Sequence, residues 1–213
     1  MKKGLSILIN ILLFAIIVFL AWQVVKSIQA PIKFNTEQKA REVQVIERLI
    51  DIRNAEVLYK NANNKYTADF DSLIQFCQTA EIPIVKIVPD PTDTTFTRTI
   101  NDTLGFVKVM DSIKSTRENF NINDLKYVPF AENQQQFELE AGMIKRNGID
   151  IPVFEARTPY EVYLATPGAN FNEKEWNQRR DNAKAEKESI NRYAGLRVGS
   201  MEEATTDGNW EKL

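Results

Sequence analysis

LSILINILLFAIIVFLAWQVV, residues 5–25, contains the polar residues Ser6, Asn10 and Gln23 and no charge. A helix rises about 1.5 Å per residue, so about 21 residues cover about 31 Å, the thickness of a bilayer hydrocarbon core. The run therefore reads as a transmembrane anchor. A cleaved secretory signal would have an apolar region of about 7 to 15 residues ending in a small-x-small site. Ala30 stands at a candidate cut, but Ile28 fills the position that must be small. Lys2 and Lys3 precede the run, while Lys26, Lys33, Lys39 and Arg41 follow it, so charge hardly sets its direction. A long folded region after a first span crosses by default, which puts residues 1–4 in the cytoplasm and the bulk in the periplasm of a bacterium, anchored in the inner membrane. Asn10 is either a tolerated amide or a hydrogen-bonding group for a partner helix, and Trp22 fits an interfacial anchor.

Working outward, residues 26–34 read as a connector, because Pro31 disfavours helix at Ala30. Asn35 then suits an N-cap with Gln38 three residues on, opening a helix to about residue 61. Val43, Ile46, Ile50 and Val57 fall on one stripe at 3-4-7 spacing, with Arg53 in the remaining seat; Val45, Leu49 and Ile52 form a second stripe beside it. Gln44, Glu47, Arg48, Asp51 and Asn54 make up the opposite face. Either both stripes enter one core, or one packs on a sheet and the other offers an edge to a partner. A second helix follows, with Asn63-Asn64 as the turn, Thr67 or Asp69 as the cap, and Phe70, Leu73, Ile74 and Cys77 at helical spacing.

From Ile82 to Asp102 the text is rich in Pro, Thr and Asp and predicts an irregular connection, with a short strand at residues 84–88. Strand-like patches follow at residues 105–113 and 125–130. The clearest β signal is residues 136–156, where alternating runs flank Asn147-Gly148, the pair that suits a type I′ hairpin turn. Pro152 cannot donate to a ladder and predicts an edge or bulged position. Tyr160, Val162 and Leu164 alternate with polar neighbours as a further strand. Residues 172–193 form a charged helix, with Trp176, Ala183 and Ile190 every seven residues. In the tail, Leu196 and Val198 suggest a short strand and Trp210 a fold-back. The architecture expected is α+β: a transmembrane helix, an amphipathic helix packed on an antiparallel sheet within residues 35–171, and a charged helix with an irregular tail over residues 172–213.

Composition narrows the chemistry. With 213 residues and a formal charge of −2, the chain has room for one ordinary domain after the anchor and lacks the basic footprint of a nucleic-acid binder. It has no histidine, which removes His-based triads, imidazole shuttles and His-containing zinc sites. The single cysteine, Cys77, reads as a small core residue. Glu138 and Glu140 share a strand face, but their alternation with Phe137 and Leu139 marks a solvated surface. Thr205, Asp207 and Glu211 lack the spacing of a calcium loop. No cofactor, metal ligand or catalytic residue is assigned, and no phosphate loop, nucleophile elbow or HExxH helix occurs. Two function classes stay open. One is a non-enzymatic envelope component docking through the anchor and the Val43 to Val57 face, with a membrane and a protein partner or self-assembly. The other is a stand-alone ligand sensor or enzyme.

The anchor, the amphipathic continuation and KYTADFDSL (residues 65–73) resemble the amino-terminal layout of type IV pilins and type II secretion pseudopilins, with Gly4 where a prepilin leader would be cut. Leu5 stands in place of the usual Phe or Met, and Ile9 in place of a Glu. Pro31 interrupts the continuous helix of those families, so the resemblance implies a pilin-like helix-on-sheet domain and, more narrowly, a pseudopilin-like component. RLIDIRNAEVLYKNANNKYTADFDSLI, YVPF, FELEAGMI, IDIPVFEA and YAGLRVGSMEEATTDGNWE together resemble a family of single-pass envelope proteins of Gram-negative bacteria. That resemblance implies location and layout and supplies no catalytic residue.

Overall fold

The computed structural model describes residues 2–89, 99–114, 120–169 and 171–211. Helix α1 runs unbroken over Lys2–Asn63, a length of about 93 Å at the usual rise. The expected connector at residues 26–34 and the N-cap at Asn35 are thus corrected, since Pro31 lies inside the helix. Proline removes one ladder bond but holds φ near the helical value. Phe34, three residues on, is 3 % exposed and already docked in the core, so the domain fixes the helix direction just past the proline. The expected turn at Asn63-Asn64 follows, with Asn64 at φ 58°.

Helix α2, Phe70–Thr79, is capped by Asp69, whose carboxylate accepts from the Asp71 and Ser72 N–H groups. Phe70, Leu73 and Cys77 turn inward. Strands β1, Glu81–Pro89, and β2, Thr99–Lys108, then pair as an antiparallel ribbon; β1 contains the short strand expected at residues 84–88, and the irregular connection expected around it is strand as well over residues 82–83 and 99–102. The β-branched residues outweigh the prolines, because among the described residues no strand pairs with the other edge of β1 and Pro83 and Pro89 need no ladder donor there. Part of the same expectation, residues 90–98, lies outside the described residues. The strand expected over residues 105–113 ends at Lys108, where helix α3, Val109–Lys114, begins. That expected at residues 125–130 is instead a turn following a 3-10 turn at Ile122–Asp124, with a single bridge from Tyr127 to Gln136.

Strands β3, Glu138–Arg146, and β4, Ile149–Pro159, form the expected hairpin, with Asn147 and Gly148 at φ 52° and 80° as a type I′ turn requires. Strand β5, Gly195–Gly199, pairs with β4 only over Glu155–Pro159. Hence β4 is central in the order β3-β4-β5, and Pro152 is tolerated because it sits in the stretch beyond the reach of β5. Residues 160–164 form no strand: α4, Tyr160–Tyr163, is a helical turn that buries Tyr160, Tyr163 and Leu164 on one side at i, i+3 and i+4. Helix α5, Glu173–Ser189, is capped by Asn172 and anchored by Trp176, which is fully buried and donates Nε1–H to the Leu164 carbonyl at 2.7 Å.

The core gathers the Val45, Leu49, Ile52 and Ala55 side of α1 against Leu73 and Cys77 of α2, Phe154 and Ala156 of β4, and Leu196 and Val198 of β5. The layout is a helix on an antiparallel sheet, with only one of the two apolar stripes buried. Val45 and Val43 therefore make a paired test. Val45→Asp places an unpaired charge in the core and should unfold the domain in urea titrations, whereas Val43→Asp should stay within about 0.5 kcal/mol of wild type.

Candidate functional site

The stripe that the core buries only in part is the one singled out in sequence, with Ile46 packed against the core cluster. Val43 is 55 % exposed, while Ile46, Ile50, Arg53 and Val57 are half-buried. Successive residues on a helix turn by about 100°, so the domain covers the side holding Phe34, Arg41, Val45, Leu49, Ile52 and Glu56, and the Val43–Ile50 line lies across from it. Ile28 and Ile32, at 58 % and 60 % exposure, extend that line back towards the apolar segment. Asn10 precedes Ile46 by about ten helical turns at 3.6 residues each and so shares its side of the helix. The five domain residues are thus brought together; Asn10 is about 50 Å from Val43 along the same rod.

Arg53 is engaged by the chain's own tail. Its Nη1–H donates to Glu211 Oε1 at 2.9 Å, and the Thr206 carbonyl lies at 3.5 Å. The Gly208 N–H, followed by this guanidinium, holds the Glu211 carboxyl below its usual range. Arg53 and Val57 line a cleft of about 370 Å³ with Leu58, Ile113 and Thr206, so the far end of the stripe is partly roofed and the Val43 end is open. A wider groove of about 570 Å³ runs along the flank of α1 between Gln44, Glu47 and Arg48 and the loop carrying Tyr127 and Gln134. The polar face of α1 is narrower than expected. Arg48 donates to the Asp124 carbonyl, and Asp51 is only 5 % exposed, because this loop folds against the flank.

The Glu138 and Glu140 pair faces solvent, and its chemistry is that of a clamp. Arg157 Nε–H donates to Glu138 Oε2 and Nη2–H to Glu140 Oε1, both at 2.7 Å, while Nη1–H donates to Glu155 Oε1 at 2.9 Å. The second oxygen of Glu155 lies 3.5 Å from Arg197 Nη1. Sequence reading missed Arg157, although the Asn147-Gly148 turn sets a register that places it directly across from Glu138. Cys77 is buried, and burial pushes its thiol up to about 12, away from reactive chemistry. Among the described residues no group of His, Cys, Asp and Glu side chains is arranged to hold a metal ion. Comparison of the chain with protein-family models, curated proteins and solved structures gives no match.

The clamp yields an asymmetric expectation. Arg157→Ala leaves the nearly buried Glu155 carboxylate with only its longer contact to Arg197 and should cost about 2 kcal/mol in denaturant unfolding. Glu138→Gln, which removes one exposed arm, should cost less than about 1 kcal/mol.

Proposed function

We propose that this chain is a non-enzymatic component of a larger bacterial envelope assembly, spanning the inner membrane once through residues 5–25 with its domain in the periplasm, and that the assembly holds the outer face of α1. The observation that carries this reading is the division of the two stripes: Val45 is fully buried and Val43, two residues away, is 55 % exposed. An apolar line with Val43 exposed and Ile46 and Ile50 half-buried thus stays partly open on the helix whose beginning is long and apolar enough to cross a bilayer. A partner helix laid along Val43, Ile46 and Ile50 would continue beside Ile32 and Ile28 into the membrane and reach Asn10. There an interhelical amide hydrogen bond is worth about 0.6 to 2 kcal/mol.

A narrower form, a pseudopilin-like secretion or pilus component, gains from the continuity of α1 across Pro31, because the sequence had suggested an interruption there. It requires processing at Gly4, and an intact Met1 or Lys2 terminus on the mature protein would remove it.

The decisive experiment places a photo-crosslinking residue at position 43 or 50 of the tagged full-length chain in its own membranes, with position 190 on the exposed end of α5 as control. Discrete adducts are expected from positions 43 and 50 alone, and Val43→Glu with Ile50→Glu should abolish the heavy complex in mild detergent while leaving the domain's melting transition in place. A complex that survives the double substitution overturns the reading.

A further inference from the structure

Glu56 lies on the buried side of α1, one turn beyond Ile52, and has no exposed surface. Its Oε2 accepts the Thr67 N–H at 3.1 Å, and its Oε1 finds no hydrogen-bond partner among the described residues. Thr67 belongs to the segment joining α1 to α2, residues 64–69, so this hydrogen bond ties the middle of the joint to the helix, while the Asn64 N–H, donated to the Lys60 carbonyl at 2.7 Å, ties its start.

Among the described residues no cation is hydrogen-bonded or ion-paired to the Glu56 carboxyl. Leu73 and Cys77 from α2 and Val109 and Ile113 from α3 belong to the same core cluster, and the sheet turns Phe154 and Ala156 towards it. Of the titratable groups nearby, the Cys77 thiol is neutral and is itself pushed up by burial and then by Glu56. On the joint, Tyr66 packs its ring against Phe154 at 4.7 Å and carries the Lys60 ammonium over the ring at 5.2 Å. Asp69 directs its carboxylate to the Ser72 N–H at the head of α2. Burial, opposed weakly by the Thr67 N–H, raises the Glu56 carboxyl to about 8.

We propose that Glu56 is a proton-operated latch on the α1–α2 joint: protonated, it stays in the core and holds Thr67, and ionised, it favours a state in which residues 64–69 and the start of α2 have swung away from α1. The proton sits on Oε1, leaving Oε2 to accept. Opening would enlarge the cleft of about 360 Å³ already present between Tyr66, Thr67 and Ala68 and the Ala141–Met143 part of β3. The sign follows from linkage. The latch is fully closed below the ordinary carboxyl range near 4.5, weakens as pH rises, and has lost its whole contribution once pH passes about 8, where the closed form ionises too.

The test uses the full-length protein in detergent, with hydrogen exchange at the Thr67 amide and thiol-reagent labelling of Cys77 as readouts. Each is expressed as the ratio of wild type to Glu56→Gln at the same pH, which cancels the intrinsic pH dependence of both reactions. The ratio should rise by up to about tenfold per pH unit between pH 6 and about 8 and level off above that. A ratio that is flat from pH 6 to 9.5 overturns the latch. If Glu56→Gln does not fold, wild type alone decides, since its Thr67 exchange, corrected for intrinsic rate, must climb to about pH 8 and then plateau.

Discussion

The guanidinium of Arg41 is the contact on which the placement of the domain depends. It is 5 % exposed and donates to the carbonyls of Thr166 and Tyr163 at 2.8 and 3.3 Å, while its Nε–H reaches Glu37 at 3.1 Å. Trp176 and Phe130 stack against it, with ring centres 4.8 and 5.2 Å away. A charge taken from water is tolerated only where hydrogen bonds and π faces replace its hydration, and here they come from α4, α5 and the residue-130 loop at once. Arginine suits this seat better than lysine, because a planar fork can meet several carbonyls and a ring face together. Phe34 and Phe171 close around the same tryptophan. The charged helix α5 is held by this aromatic seat, by Ala183 against the core and by Lys184 on Glu161 of α4.

Arg41 also explains how one helix carries two kinds of surface. Residues 5–25 are uncharged and apolar on nearly every side, and the domain requires one apolar side. The clasp at Phe34, Arg41 and Trp176 acts where these surfaces change over, within the turns just after Pro31. From there to Glu56 the buried side is set by contacts with the sheet and α2, so the Val43 line is left opposite them. That partly open line follows from domain packing on a helix that continues without a break towards the apolar end.

Much of the layout was legible in the sequence: the apolar run, the amphipathic helix, the Asn147-Gly148 hairpin, the Asp69 cap and the short strand at Leu196 and Val198. The errors have a common cause. Pro31 was weighed by its effect on Ala30, and the prolines within residues 82–102 as marks of irregular chain, whereas tertiary context decides whether a proline is tolerated at a given place. Tyr160, Val162 and Leu164 alternate like a strand, yet Tyr160, Tyr163 and Leu164 fit a helical turn equally well, and over so few residues periodicity cannot choose. The candidate residues Val43, Ile46, Ile50, Arg53 and Val57 were legible as a stripe. Which of two adjacent stripes would face the core was not.

The choice between stripes was hidden by charge. The buried line is Phe34, Arg41, Val45, Leu49, Ile52 and Glu56, with charged residues at two of its seats; the outer line of Val43, Ile46, Ile50 and Val57 is interrupted only by Arg53. Judged by hydrophobicity, the outer line looks the better core face. The folded chain resolves this because Arg41 and Glu56 find backbone partners that only tertiary structure creates, carbonyls at residues 163 and 166 for one and the Thr67 N–H for the other. The cleaner hydrophobic line is therefore the one on the outer side, with Val43 exposed and Ile46, Ile50 and Val57 half-buried.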